Sequence, residues 1–299
     1  MSKYPVALFT SDLHFSEKAP VCRKEDDWFE YQASMMRWLG ETKKKLKCDL
    51  FVVGDLFDKA KVSNELLNLT IDNMPSCYLT IGNHDILYHS ENLLDKSGIG
   101  SLARYDKFIL LNDSVELENK FEFVPFHFGH ELKPYEGDKI GVAMIHELAW
   151  EKPPFPGADK KGNIKNLVKQ LYGFDFVFCG DNHEKFITHV GDVTVVNHGS
   201  LMRLKASQID YQPSVWVLYD DGSVESIDVP IENDKISREH LELKEIKDER
   251  IHEFVSSLKE SKLSVDLNFI ENLKINLATN KIDDGVIELL EEASDTPLK

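Results

Sequence analysis

The chain has 299 residues, 42 % hydrophobic and 29 % charged, with 35 Lys and Arg against 52 Asp and Glu for a formal net charge of −17. That composition is globular, and its acidic balance argues against holding nucleic acid by overall charge, since phosphate-backbone affinity comes from Lys and Arg. Its apolar stretches are too short to span a bilayer, and Met1-Ser2-Lys3-Tyr4-Pro5 opens no signal-peptide core, so a cytoplasmic protein without a membrane partner is expected.

Short apolar runs at 6–9, 50–53, 78–81, 140–145, 176–179 and 193–196 have the length and β-branched or aromatic content of buried strands. Between the first two, Trp28, Tyr31, Met35, Trp38, Leu39, Thr42 and Leu46 fall on one helical stripe, with Asp26 or Asp27 as N-cap. Leu66, Leu67, Leu69, Ile71 and Met74 predict a second helix, stopped by Pro75, and residues 163–171 a third. Strands alternating with helices mean an α/β sheet. From Phe186 to Val229 closely spaced strands with turns at Gly191-Asp192 and Asp221-Gly222 read as an antiparallel meander. The whole is expected to be a two-sheet mixed β-sandwich flanked by helices.

After Pro230 the composition turns charged and helical. Residues 1–230 are read as the catalytic domain and 231–299 as a small α+β accessory module. In that module Ile251, Phe254, Val255 and Leu258 are spaced for a helix. Leu273, Ile275 and Leu277 alternate like a strand, and Ile282, Val286, Leu289 and Ala293 return to helical spacing. The four cysteines, Cys22, Cys48, Cys77 and Cys179, lack CxxC spacing and read as reduced core thiols.

Sites in α/β sheets form beyond the carboxyl ends of strands, and here those ends carry metal-ligand residue types. Ser11-Asp12-Leu13-His14 follows the first run, Gly54-Asp55-Leu56-Phe57-Asp58 the second, and Gly82-Asn83-His84-Asp85 the third. His146 follows the fourth and Gly180-Asp181-Asn182-His183 the fifth. In extended chain Asp12 and His14 would present their side chains to one ion, and the glycines would allow tight turns. A single Asp or His at a strand end is most simply a turn former or a satisfied structural residue. Five such ends on one edge call for a joint site. Oxygen and nitrogen donors without thiolate suit manganese, iron, zinc or magnesium.

The ordered series DxH, GDxxD, GNHD, a lone His and G-x-x-H resembles the calcineurin-like metallophosphoesterase superfamily over residues 5 to 205. Gly54-Asp55-Leu56-Phe57-Asp58, a helix start at Ser63, and Asn197-His198-Gly199-Ser200-Leu201-Met202-Arg203 resemble its SbcD-type DNA repair and recombination nucleases, which phages also encode. His198 stands where that branch usually has Pro. Ser/Thr protein phosphatases fit less well, since Lys59 and Asp85 replace the Arg and Glu of their motifs.

The resemblance implies two divalent ions, manganese first, with Asp12, His14, Asp55 and His183 at one and Asp55, Asn83, His146 and Asp181 at the other. It implies hydrolysis by an activated hydroxide, with His84 stabilising the transition state or protonating the leaving oxygen and Asp85 orienting its ring. Asp181 departs from the family's GHxH; it either ligates as a harder donor or points away. Implied partners are DNA, an SMC-like ATPase of SbcC type and a second copy of the chain, for which the helix near Leu66 is a candidate face alongside core burial.

By position, His198 and Arg203 are candidates for substrate contact. His127 and His130 read as structural, and the basic run at 43–47 as a solvated helix end. Residues 231–299 carry −7 of the −17, so any DNA contact is local or partner-assisted. A small nucleotide or cyclic nucleotide is the competing substrate, and an inactive scaffold the competing class.

Overall fold

The structure, a computed structural model, describes residues 3–153, 156, 159–239 and scattered positions from 241 to 287. Two six-stranded sheets carry the first unit, Met1–Ser237. The first sheet contains β1 (Pro5–Thr10), β2 (Asp49–Val53), β3 (Cys77–Thr80) and β4 (Phe108–Leu110), all parallel. It is extended antiparallel on β1 by β11 (Ser214–Tyr219) and then β12 (Val224–Asp228). The second sheet runs β5 (Val115–Leu117), β6 (Phe121–Phe126), β7 (Ile140–His146), β8 (Phe176–Gly180), β10 (Val193–Asn197) and β9 (Phe186–Val190). Its four middle strands are parallel.

Strand periodicity explains the continuous apolar runs. Along β1 and β2 successive residues face opposite layers: Leu8, Leu50 and Val52 pack outward, while Ala7, Phe9, Phe51 and Val53 pack between the sheets. There Phe9 stacks on Phe178 at 3.8 Å and on Phe51 at 5.4 Å, joining the two sheets. Outside the first sheet lie α1 (Trp28–Leu46) and α2 (Asn64–Asn73), which bury Met36, Leu39 and Leu66. Outside the second lies α4 (Ile164–Gln170); the short α3 (Gly98–Leu102) precedes β4.

Helix ends follow local chemistry. Asp27 caps α1 by accepting from Glu30 N–H at 3.0 Å, and Lys47 closes it in the left-handed region after a basic last turn. Ser63 caps α2 through Leu66 N–H, and Pro75 prevents its continuation. On α2, Leu66, Thr70 and Met74 are buried, Leu67, Leu69 and Ile71 are half-buried against the same core, and Glu65, Asn68 and Asp72 face solvent.

The expected meander is also corrected. Both hairpins exist, but β9–β10 belongs to the second sheet and β11–β12 to the first. Turn chemistry specifies a hairpin locally and says nothing about which sheet receives it.

Residues 231–237, which composition groups with the accessory module, are part of the first unit. The second unit is Arg238–Lys299. In it Leu273, Ile275 and Leu277 are helical, where a strand was expected. Leu273 and Leu277, four apart, satisfy either period; Leu273 is buried and Ile275 is half exposed. Ile251 and Val286 are helical as expected and Ile282 is not, whereas Phe254, Val255, Leu258, Leu289 and Ala293 lie outside the described residues. No described helix is long and apolar enough to cross a membrane.

Candidate metal centre

The carboxyl ends of β1, β2, β3, β7 and β8 converge. The loops after β1 and β2 brace each other: Asp12 N–H donates to Gly54 O at 3.2 Å, and Leu13 and His14 N–H both reach Asp55 O. Asp12, His14, Asp55 and Asp181 all adopt left-handed backbone, with φ of 51°, 48°, 52° and 78°. Non-glycine residues are held there only where surrounding structure over-determines them, typically at functional sites. Asp12 and His14 thus reach one point through turns; the extended chain expected from their spacing is absent.

The donor atoms form overlapping clusters. Asp12, His14 and His183 make one, Asp12, Asp55 and His146 another, and His14, Asp55 and the exposed His84 a third, each with its atoms within 4.8 Å of one another. His14 Nε2 lies 3.1 Å from His183 Nε2 and 3.6 Å from Asp55 Oδ2. His146 Nε2 lies 3.3 Å from Asp55 Oδ2 and 3.1 Å from Asn83 Oδ1. Its Nδ1–H donates to Val53 O at 2.8 Å, which fixes the tautomer and turns the Nε2 lone pair towards the cluster.

Close approach explains two glycines. A Cβ on Gly54 would sit 2.1 Å from His146 Nδ1, and one on Gly82 2.1 Å from Asp55 Oδ1.

Charge in the cluster is unbalanced. Asp12 and Asp55 are buried, and among the described residues their ion pairs are all with histidines. Burial opposes ionisation of Asp12, yet His14 and His146 beside it hold its carboxyl well below the usual range. Burial likewise disfavours the His146 cation, but the adjacent Asp55 carboxylate drives its pKa up to about 10. Carboxylate, amide and imidazole groups of Asp12, Asp55, Asn83, His14, His146 and His183 thus converge, and each imidazole, when neutral, can offer a lone pair there. Divalent cations with oxygen and nitrogen preference fit that set.

Asp181 contributes its backbone first: its N–H donates to both oxygens of Asp12 at 3.1 Å. Its carboxylate, partly exposed, lies outside the donor clusters found among the described residues.

His84 sits exposed at the rim. Its N–H donates to Asp55 Oδ1 at 2.9 Å, its Nδ1–H donates to Asp58 O at 2.7 Å, and its ring meets that of His14 edge-on at 4.8 Å. The expected orienting role of Asp85 is therefore corrected. Asp85 is buried, and its carboxyl accepts from Asp55, Gly82 and Phe57 N–H, tying the β2 and β3 loops together. Burial and Asp55 push its pKa up to about 7. A backbone carbonyl in the orienting role leaves no signature in residue identity, so the sequence showed Asp58 without its use. Asn197 was missed too; its Nδ2 holds Asn182 O and Glu184 O on either side of His183.

Neither expected substrate contact is available. His198 is fully buried, stacked beside Phe9 and Phe178, with Nδ1–H on Cys179 O and a pKa lowered to about 4 by burial. Its position beyond β10 turns it into the space between the sheets. Arg203 is 7 % exposed and donates to Asp234 Oδ2 at 2.9 Å and to Ile209 and Ile231 O. Asp234 also binds Arg23 at 3.1 Å and Tyr31 at 2.8 Å, locking residues 231–237 onto the sheet unit. His127 accepts from Ile81 N–H at 3.1 Å, and His130 pairs with Glu91 at 2.5 Å. All four cysteines are free and buried.

Comparison with known proteins places this geometry in context. Solved structures similar to the chain include an archaeal phosphodiesterase (16 % identity, 75 % of this chain, 99 % of that one, TM-score 0.41). Another protein, from Thermus thermophilus, shows 13 % identity over 76 % of this chain and all of that one, at a TM-score of 0.46. The sulfate thiohydrolase SoxB of Thermus thermophilus shows 11 % identity over 77 % of this chain and 58 % of that one, also at 0.46. No curated protein sequence matches. The calcineurin-like phosphoesterase family model matches residues 6–185, the span that holds every donor above. This chain belongs to the calcineurin-like phosphoesterase family, whose members are metal-dependent hydrolases of phosphoester bonds.

Proposed function

We propose that the chain is a metal-dependent phosphodiesterase acting on DNA, an SbcD-like exo- or endonuclease of repair, recombination or replication. The observation that carries the reading is the pairing of a buried carboxylate–histidine cluster with an exposed, oriented His84. Asp12, His14, Asp55 and His183 would hold one divalent ion, and Asp55, Asn83 and His146, with Asp181 as a further donor, a second. Such ions supply Lewis acidity at a phosphoryl group and lower the pKa of water.

The chain's own part is positional. Asp58 O holds His84 Nδ1–H, which leaves Nε2, when protonated, to donate to a phosphoryl or leaving oxygen. The same protein offers no bulk positive surface, at −17. DNA contact would therefore use a local groove or the surface of a partner, an SMC-like ATPase or a second copy, in the cytoplasm. The hard donor set favours manganese, with magnesium, iron and zinc as alternatives.

Turnover with manganese on linear duplex DNA, single-stranded DNA, bis-p-nitrophenyl phosphate and cyclic nucleotides tests the reading. DNA cleavage is expected, and His84→Ala should lower it about 10²–10⁴-fold with metal content unchanged. Intact DNA beside turnover of a mononucleotide would transfer the reading to small phosphoesters. No turnover of any substrate would leave a scaffold.

A further inference from the structure

The loop that carries Asn83 and His84 continues into Ile86-Leu87-Tyr88-His89, where the backbone takes an uncommon course. Tyr88 (φ 54°, ψ 27°) and His89 (φ 53°) are consecutive non-glycine residues in the left-handed region, which bulky L side chains seldom occupy.

The loop is anchored against relaxation. Ile86 is buried, and the His89 ring lies 5.2 Å from that of Phe128. Phe128 N–H donates in turn to Ile81 O at 2.9 Å, and Ile81 N–H to His127 Nδ1. From this braced loop Tyr88 emerges 89 % exposed, the most exposed large apolar side chain among the described residues. Backbone strain held by packing, in the loop that leaves a site residue, is where function is to be sought.

Tyr88 follows His84 by four residues, so their Cα atoms lie within about 14 Å. Residues 86–92 contain no Lys or Arg, so the loop brings no fixed cation to a phosphate, while the exposed Tyr88 ring presents a face on which a base can stack. We infer that Tyr88 is a stacking platform for a nucleobase adjoining the scissile phosphate, and so a specificity residue for base-bearing substrates. The inference rests on the nucleic-acid reading above. It adds a way for an acidic protein to grip nucleic acid without cationic contacts, because every base has a face to stack.

The test compares a thymidine dinucleotide with its abasic analogue, the same sugar–phosphate diester lacking both bases, for wild type, Tyr88→Ala and Tyr88→Trp under manganese. Tyr88→Ala should raise KM for the base-bearing diester about tenfold with kcat unchanged, leave KM for the abasic diester unchanged, and be rescued by Tyr88→Trp. Equal changes on both substrates, or none on the base-bearing one, would overturn the stacking role while the nucleic-acid reading stands. If wild type cleaves neither diester yet hydrolyses bis-p-nitrophenyl phosphate, the nucleic-acid reading falls and this inference with it.

Discussion

His127 shows how one buried side chain carries both structure and a pH response. Its Nδ1 accepts from Ile81 N–H, so it must stay neutral on that nitrogen to hold the end of β3. Burial, helped by His130 and opposed by Glu91, lowers its pKa to about 4. An unfolded histidine binds its proton near pH 6.5. Between pH 6.5 and 4 the unfolded chain therefore holds a proton that the folded one does not, and stability falls as pH drops through that window. His127→Asn keeps an acceptor in place and removes the titration. Urea unfolding at pH 7 and pH 4.5 should show the variant losing about 2–3 kcal/mol less than wild type on acidification; equal losses would assign the acid sensitivity elsewhere.

Residue types at the centre were legible because carboxylates and imidazoles recur at fixed offsets beyond apolar runs. What those residues do with their backbones was not. Asp58 orients His84 through its carbonyl, and Asp181 supports Asp12 through its amide; both groups are common to nearly every residue. His198 and Arg203 failed as substrate contacts because both side chains are buried and taken up by partners distant in sequence, Cys179 O and Asp234, and such long-range pairing is not written in a local motif.

Among the elements, β1, β2, β3, β7 and β8 were legible because both faces are buried and the runs are long enough to show it. β4 and β5, at three residues each, are too short to display a period, and β6 is interrupted by Pro125. The strand ends are where element geometry becomes site geometry. Gly54 closes β2 at φ +80°, with room for no Cβ beside His146. Gly54→Ala should cost about 2–4 kcal/mol, from the left-handed backbone and the clash together. It should also shift His146 and leave one manganese bound where two are expected for wild type, by elemental analysis after dialysis. Full stoichiometry in a folded Gly54→Ala protein would show that His146 is not a ligand.

For the molecule as a whole, the donors come from both sheets: Asp12, His14, Asp55 and Asn83 from the first, His146 and His183 from the second. Occupied sites would therefore add cross-links to layers already joined by apolar packing and by hydrogen bonds such as His146 Nδ1–H to Val53 O. Binding at a hundredfold excess over Kd contributes about 2.7 kcal/mol, so chelator should lower the melting temperature by several degrees relative to manganese-loaded protein. An unchanged melting temperature would deny the sites that role. Candidate metal donors from Asp12 to His183 could be named together from the sequence, while the sheet that receives β11 could not, because long-range pairing leaves no local pattern.

That same placement of β11 bears on synthesis. Among the described strands β1 is made before the others, yet one of its two edges is covered only by β11, with Phe9 paired to Trp216. As the chain leaves the ribosome, the exposed backbone groups of that edge wait for some two hundred further residues before their partner exists. An unpaired strand edge is a template for association with other chains. Vectorial folding of this sheet can begin with β1–β2–β3, but it closes only when residue 219 has emerged.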